Sequence, residues 1–334
     1  MRHRRLSAFC LLLTFISCVT DTFAQSKLLH KVDSLLILFQ KTNTDTNYIV
    51  RPEGKLTLRL LNNLSGASVI AIQRGNGGSK RDFAHLRSDM KETIAASVNY
   101  RGVSLSLSVN PGHLFDWYHD LELNVNSYGN KMGMDFIFQS SRTFQGEVNS
   151  GKDSHYVLKG AVRQQTITAD YYYAFNHRRF SYPAAFTQSF LQKRSSGSWM
   201  VGASYLDLHL TMDEMNNLTG IGIPSKLKAR QFGIGAGYGY NIVASHRWLF
   251  HLSALPTIVI WKNMNLHDYE VQNSSQMLYL PNMLTVGRFA AVHYFRNQFA
   301  GITAVINHSH LGQSDNRMME NIKWRARLFY GIRF

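Results

Sequence analysis

The sequence predicts an all-β fold, an antiparallel transmembrane β-barrel of about 12 (or 14) strands with a short N-terminal helix. Three observations predict it: an alternating strand at the C-terminus, an export-type leader at the N-terminus, and many two-period segments between them. After the leader, no stretch reaches the roughly 18 uncharged apolar residues that a spanning helix needs. We therefore expect strands to cross the membrane.

The C-terminal segment 323–334 has one apolar face and one basic face. Successive side chains of a strand point to opposite sides of its sheet, so this pattern predicts lipid on one side and a wet lumen on the other. The chain ends on an aromatic residue, which resembles the terminal signal read by the barrel assembly machinery. We expect Tyr330, Ile332 and Phe334 to form this assembly signal. The apolar face holds Trp324, Ala326, Leu328, Tyr330, Ile332 and Phe334, and the other face holds Arg325, Arg327 and Arg333 with Phe329 and Gly331.

Residues 1–24 have the layout of a secretory signal peptide. Three arginines precede an apolar stretch, and Thr22-Phe23-Ala24 supplies small residues before the expected cut. Cys18 follows a poor lipobox, so a lipidated N-terminus is only an alternative. Both cysteines precede the cut, and the mature chain therefore has no disulfide and no thiol chemistry.

The expected organisation is a signal peptide at 1–24, an N-terminal helix and linker at 25–52, and an outer-membrane β-barrel at 53–334. The helix is predicted because apolar residues recur at helical spacing from Leu28 to Phe39. It either caps the barrel, lies at the membrane interface or plugs the lumen from the periplasm.

The chain is basic, with a formal net charge of +15. Removing 1–24 lowers Lys+Arg from 36 to 33 and Asp+Glu from 21 to 20, which leaves +13. Export argues against nucleic acid as the partner. We expect contacts with outer-membrane lipid and lipopolysaccharide phosphates. The alternative is that Lys and Arg line a polar lumen and reach the rims of the barrel.

Thirteen segments have the two-period pattern of strands. Because bacterial single-chain barrels have even strand numbers, the pattern favours 12 or 14. One segment, Phe232–Tyr240, alternates large residues with four glycines, which predicts a tight inner wall packed by a large side chain or a plug. The segments lie near 54–62, 66–74, 92–100, 102–110, 118–128, 131–147, 164–175, 198–210, 229–242, 247–260, 283–294, 298–308 and 323–334.

A periplasmic C-terminus assigns the connections. Outer loops are predicted at 309–322, 261–282, 211–228 and 148–163, and short inner turns at 295–297 and 243–246. The exception is 176–197, which is long and basic and faces the periplasm. We expect it to close the periplasmic mouth in part, by plugging the lumen, by docking a periplasmic partner, or as a turn wedged under the barrel.

The same segment carries a resemblance. The run Phe180-Ser181-Tyr182-Pro183-Ala184-Ala185-Phe186-Thr187-Gln188-Ser189, followed by Gly197 and Ser198, resembles the signature of the domain of unknown function family 4421. Blocks at 45–59 and 118–131 agree in order, so the resemblance covers about 43–334. It implies an exported barrel of Bacteroidota-type outer membranes. The family has no established activity, so the resemblance implies no mechanism.

The search for chemistry predicts no cofactor, no metal and no catalytic residue. His308 and His310 form a candidate metal or acid/base pair, with an ordinary polar rim as the alternative. His119 and Asp120 are adjacent on a strand and therefore point apart. The glycine run 75–80 lacks the phosphate-loop spacing. Four serines lie near basic residues without a nucleophile elbow: Ser181, Ser195, Ser196 and Ser198.

Three functions stay open. The first is a structural barrel or narrow pore, and the second is an enzyme acting on lipid A or phospholipid. The third is a surface-binding protein that uses long outer loops. Enzyme activity is undecided, and the sequence leans against it. A soluble β-sandwich is the rival architecture.

Overall fold

The computed structural model describes residues 43–52, 54, 56–74, 81–100, 103–109, 121–150, 153–212, 226–245, 247–267, 282–314 and 317–334. The predicted signal peptide, the predicted helix after it, His119, Asp120 and the glycine run 75–80 lie outside these ranges. The chain divides into two compact units, Met1–Asn43 and Thr44–Phe334. The second unit is described below.

Antiparallel strands dominate the described residues, and thirteen of them form one sheet. A separate two-stranded pair and one short helix, α1 (Tyr182–Phe186), complete the unit. Among the described residues no helix is long and apolar enough to cross a membrane. The strands are β1 (Ile49–Val50), β2 (Leu56–Arg74), β3 (Arg81–Arg87), β4 (Lys91–Tyr100), β5 (Val103–Val109), β6 (Leu121–Tyr128), β7 (Met132–Ser150), β8 (Asp153–Ala174), β9 (Leu191–Gln192), β10 (Ser196–Met212), β11 (Lys226–Ser245), β12 (Trp248–His267), β13 (Met283–Phe295), β14 (Gln298–Ser314) and β15 (Arg317–Arg333).

The sheet closes because its last strand pairs with its first long strand. β15 lies antiparallel to β2 from Arg333↔Thr57 to Arg317↔Gln73. The Phe334 N–H donates to the Leu56 carbonyl at 2.9 Å. Both ends of the barrel sequence therefore meet at one end of the ring, which we call the terminus end. The opposite end is the loop end.

The ring has different strand numbers at its two ends. Both β3 and β4 pair with β2. β3 pairs with the part of β2 near the loop end, and β4 pairs with the part near the terminus end. Beyond them, β3 pairs directly with β7, whereas β5 extends β4 and β6 extends β7. The described residues thus place twelve strands around the terminus end and ten around the loop end. Within these residues, backbone pairing does not join β5 to β6.

The wall has an apolar outer surface and a polar inner surface. On β15, Leu328 is 55% exposed, whereas Arg333 on the other face is 6% exposed. On β8, Asp170, Thr168 and Thr166 are buried and face inward. The predicted alternation is therefore confirmed, and an exposed apolar belt of this extent is typical of a transmembrane barrel.

The predicted strand count of about twelve is confirmed, but several predicted boundaries are wrong. The segments at 54–62 and 66–74 form the single strand β2, and the sequence missed β3. The predicted loops at 148–163 and 309–322 consist mostly of strand, with narrow connections near 151–152 and 315–316. These strand ends mix polar and apolar residues without strict alternation, so the pattern that marks a half-buried strand is lost there.

The glycine-rich strand β11 has the tight inner wall that its pattern predicts. A Cβ on Gly237 would lie 2.0 Å from the Ala254 carbonyl oxygen, so the strands approach too closely for a side chain. A Cβ on Gly239 would lie 3.0 Å from the ring of Phe180, which belongs to the 176–197 segment. Glycine here makes room for a residue inside the lumen.

Candidate functional site: the plugged lumen

The connection between β8 and β10 folds back into the terminus end of the ring. Phe180, Tyr182 and Gln188 are 0%, 1% and 0% exposed. Its centre is α1, which begins where the Ser181 hydroxyl accepts a hydrogen bond from the Ala184 N–H at 3.2 Å. We call residues 180–190 the plug. A short capped helix places its side chains in the lumen without leaving the first N–H groups unsatisfied.

Aromatic contacts hold the plug against the wall. The Tyr182 ring stacks on Tyr172 of β8, with centroids 4.4 Å apart, and on Phe186 at 5.3 Å. The ring of His251 from β12 meets Tyr182 edge-on, with the two ring centroids 4.9 Å apart. The Tyr182 and Ser253 hydroxyl oxygens lie 2.7 Å apart, so the buried phenol also has a polar partner.

Wall side chains donate hydrogen bonds to carbonyl oxygens of the plug. Arg59 donates to the Phe186 carbonyl at 3.0 Å, and Arg333 donates to the Gln188 carbonyl at 2.9 Å. Two further donors complete the set: Asn241 to the Ser181 carbonyl at 2.9 Å, and Tyr294 to the Ala184 carbonyl at 3.0 Å. A short helix exposes several carbonyls that need partners, and the wall supplies them.

The strand pair β1–β9 joins the N-terminal segment to the plug at the terminus end. Ile49 lies opposite Gln192. The Gln192 side chain accepts from the Ser181 N–H at 3.1 Å and donates to the Arg179 carbonyl at 2.6 Å. The strand that follows the plug is therefore tied to the residues at the beginning of the plug.

A polar chamber lies above the plug, in the middle of the lumen. Arg288 of β13 forms a buried ion pair with Asp135 of β7, and the Tyr128 hydroxyl donates to the same carboxylate. The Arg288 guanidinium also lies 5.8 Å from the Tyr182 ring, so the chamber and the plug share a contact. A cavity of about 30 Å³ borders these groups, which is room for about two waters.

An apolar layer fills the lumen between the chamber and the loop end. Its members are inward side chains of the wall, and Phe144 and Leu208 are 1% and 0% exposed. The described residues thus place a polar chamber between a plug and an apolar layer. The layer contains Ala67, Val69, Ala84, Leu86, Phe144, Val148, Val157, Ala161, Val162, Leu206, Leu208, Leu210, Leu227, Ala229 and Leu284.

Comparison of sequences settles the family. The profile of a family described as Domain of unknown function (DUF4421) matches residues 43–334, which include the plug and the whole ring. The chain belongs to the DUF4421 family. No curated protein sequence matches it.

Solved structures with similar folds are outer-membrane β-barrels. The outer membrane protease OmpT from Escherichia coli is 8% identical, with a TM-score of 0.42 over 85% of this chain and 97% of that one. The translocator domain of autotransporter NalP from Neisseria meningitidis is 13% identical, with a TM-score of 0.34 over 95% and 97%. At such low TM-scores the likeness carries no argument about activity, and the barrel rests on the chain's own strand pairing.

The DUF4421 signature residues separate into plug and wall. Phe180, Ser181, Tyr182, Pro183, Phe186 and Gln188 are buried plug residues, and Ser189 follows them half-buried. Gly197 and Ser198 begin β10, where the Ser198 hydroxyl accepts from the Asn176 N–H at 2.9 Å. The signature therefore describes a plug and the turn that returns the chain to the wall.

The predicted assembly signal lies at the seam of the DUF4421 barrel. Tyr330 and Phe334 are 44% and 63% exposed on the outer surface. The Tyr330 hydroxyl donates to the Gln298 side chain at 2.8 Å. The structure thus places Tyr330 on the strand that closes the ring and Phe334 directly after it, and their role in assembly stays a prediction.

The side chains that were candidates for catalysis make contacts that stabilise the fold. Ser181 caps α1, and the Ser195 hydroxyl accepts from the Val243 N–H at 2.9 Å. His308 and His310 lie 3.9 and 3.7 Å from the Glu320 carboxylate across the β14–β15 pair. Among the residues that the structure describes, no group of His, Cys, Asp and Glu is arranged to hold a metal ion.

Sequence reasoning missed the wall residues that hold the plug. Arg59 and Asn241 are single polar residues in alternating strands, a pattern shared by every lumen-facing position. Their partners lie far along the chain, with Arg59 and Phe186 separated by 127 positions. Arg333 was predicted to face the lumen, and it does, but nothing in the sequence pairs it with Gln188.

Proposed function

We propose that this chain is an outer-membrane β-barrel that forms a narrow pore, held closed by its own plug. The observation that carries the proposal is the burial of residues 180–190 inside the ring, with wall donors aimed at the plug's carbonyl oxygens. At the loop end, among the described residues, side chains of the wall itself close the lumen. The terminus end is instead closed by a separate segment held through hydrogen bonds, and such a segment can leave without unfolding the wall.

The surface of the barrel supports its place in a membrane. Its exposed wall carries large apolar residues such as Leu60, Leu252 and Leu328, each at least 55% exposed. Contact with lipid carries no hydrophobic penalty for such a surface, whereas contact with water is unfavourable. On this proposal residues 1–24 direct export, the terminus end faces the periplasm, and Tyr330, Ile332 and Phe334 are read during assembly.

Opening needs a change at two levels. The plug must leave the terminus end, and water must then cross the apolar layer, because apolar constrictions close pores by dewetting. The exposed cations beside the plug, Arg178, Lys193 and Arg194, form a surface that an acidic periplasmic partner can bind. Such a partner is the class of trigger that would move the plug.

Conductance across planar bilayers tests the proposal. The plug is replaced by a Gly-Ser linker of equal length, alone and together with Leu208→Ser, which makes the apolar layer wettable. A matched control combines the linker with Leu252→Ser, on the lipid-facing wall at 66% exposure. Heat-dependent gel mobility verifies that each variant has folded as a barrel.

We expect no steady current from the wild type, small currents from the linker variant, and larger currents when Leu208→Ser is added. Leu252→Ser adds nothing. A steady open wild-type pore overturns the plug as a closure. A folded linker and Leu208→Ser variant that never conducts overturns the pore and leaves a structural barrel.

A further inference from the structure

Three aromatic residues form a row on the outer wall near the loop end. Tyr205 of β10 lies opposite Phe232 of β11, and Phe232 lies opposite Trp261 of β12. Trp261 is 49% exposed. A second aromatic pair, Trp199 with Tyr238, lies six positions closer to the terminus end, about 20 Å along the strand. Two aromatic levels on an outer wall are typical of the two interfaces of a membrane.

Basic residues lie directly beyond the aromatic row near the loop end, on the side away from the terminus end. On β11 the outward positions after Phe232 are Arg230, Lys228 and Lys226. Across β10, Thr211 lies opposite both Lys226 and Arg163 of β8. These cations therefore lie on one face of the wall, on the two strands that flank β10, at the level where the headgroups of a membrane begin.

Three of these cations have no acidic partner among the residues that the structure describes. Arg230 lies 3.2 Å from the Asp207 carboxylate, which accounts for one positive charge. Within the residues that the structure describes, Arg163, Lys226 and Lys228 make no ion pair. Arg163 and Lys226 are two strand spacings apart, about 10 Å, and Lys228 is about 7 Å from Lys226 along the strand.

Like charges this close repel one another and cost stability unless an anion lies between them. Solvated lysines at a rim would reduce the cost without removing it. The three positive charges are also more than a headgroup with a single negative charge can neutralise. A ligand with more than one phosphate, carried on acyl chains that lie along the aromatic row, satisfies both the charge and the position.

We infer that Arg163, Lys226 and Lys228 form a binding site for the phosphate groups of lipopolysaccharide in the leaflet at the loop end. The site rests on the membrane placement proposed above, but not on the plug or the pore. His209 lies between Gln165 and Lys228 on the same face, with its ring nitrogen 2.9 Å from the Asp207 carboxylate.

Lipid titration of the purified barrel in uncharged micelles tests the site. The probes are lipid A with two phosphates, lipid A with one phosphate, and phosphatidylglycerol, with bound lipid counted by native mass spectrometry. The variant is Arg163→Ala with Lys226→Ala and Lys228→Ala. The matched control, Lys131→Ala with Arg247→Ala and Arg296→Ala, removes the same charge from exposed positions at the terminus end.

We expect the site variant to bind two-phosphate lipid A at least about tenfold more weakly at low salt, since each cation near a lipid surface adds to the affinity. The control keeps wild-type affinity. Equal losses in both variants overturn the site in favour of a general charge effect. Equal binding of phosphatidylglycerol overturns lipopolysaccharide as its occupant.

The result is separable from the pore proposal. A barrel that binds lipid A at this site and never conducts retains the site and loses the pore. A chain that shows no heat-dependent gel shift and does not enter vesicles loses the membrane placement, and the site with it.

Discussion

The two halves of the lumen are closed by different means. At the terminus end a separate segment, the plug, enters the ring and is held by donors such as Arg59, Asn241 and Arg333. At the loop end the wall closes itself with inward apolar side chains such as Phe144 and Leu208. A plug can leave as a unit, whereas the side chains of an apolar layer stay on the wall, so the layer opens only when water enters it or the wall widens.

The strand numbers explain why the two halves differ. Twelve strands surround the terminus end and ten surround the loop end within the described residues. Because the diameter of a barrel grows with its strand number, the ten-stranded half is narrow enough for side chains to fill. The wider half leaves space that side chains do not span, and the plug occupies it.

The largest expected effects come from truncating one aromatic residue in each half. Tyr182→Ala and Phe144→Ala each remove a ring that is 1% exposed and leave a cavity. Each change should lower the free energy of unfolding by about 3–5 kcal/mol, measured by denaturant unfolding from lipid vesicles. Tyr238→Ala, on the lipid-facing wall at 43% exposure, is the control and should cost much less.

Cysteine labelling distinguishes the two halves. The chain from Gln25 onward has no cysteine, so Ala185→Cys, at a fully buried plug position, is a unique probe. We expect Tyr182→Ala to accelerate maleimide labelling of this cysteine and Phe144→Ala to leave it unchanged. Equal acceleration by both would mean that the halves open together, which contradicts independent closures.

The anchors of the plug should give the next largest effect. Arg59→Met keeps the bulk of the side chain but removes its hydrogen bonds to the Phe186 carbonyl and to the hydroxyl of Ser97. Leaving buried acceptors without a partner should cost about 1–3 kcal/mol of unfolding free energy. Labelling of the cysteine at 185 should also accelerate. Thr166→Val, at a buried lumen position opposite Leu208 of the apolar layer, should not change the labelling rate.

The sequence predicts the wall far better than the contents of the lumen. Apolar and polar residues alternate along β15 and β8 because successive side chains face the lipid and the lumen in turn. This alternation fails in 309–322, where polar and apolar residues do not alternate strictly and the sequence of the hairpin resembles a loop. The Asp135–Arg288 ion pair spans 153 positions, and no local pattern encodes a pairing at that separation.

The plug itself was only partly predictable. Its length and charge marked 176–197 as an exception among the short turns, and its signature agreed with the DUF4421 family. Three placements stayed open because Tyr182-Pro183 starts a helix equally well inside or below a barrel. Burial in the lumen depends on room in the wall, which Gly239 provides from 59 positions away in β11, counted from Phe180.

Gly239 gives the smallest expected effect and the closest test of that fit. Its Cβ would lie 3.0 Å from Phe180, 3.2 Å from Ser253 and 3.3 Å from Met200, all of them side-chain atoms. These neighbours can give way, so Gly239→Ala should cost about 1 kcal/mol, at the low end for overpacking. It should also accelerate labelling of the plug cysteine, because the added methyl group displaces the ring of Phe180. Gly287→Ala is the control, since the nearest atom that its Cβ would meet among the described residues is the Ile306 carbonyl oxygen, at 3.9 Å. If both alanines behave alike, the plug does not rest on Gly239, and the wider half of the lumen has more room than the contacts indicate.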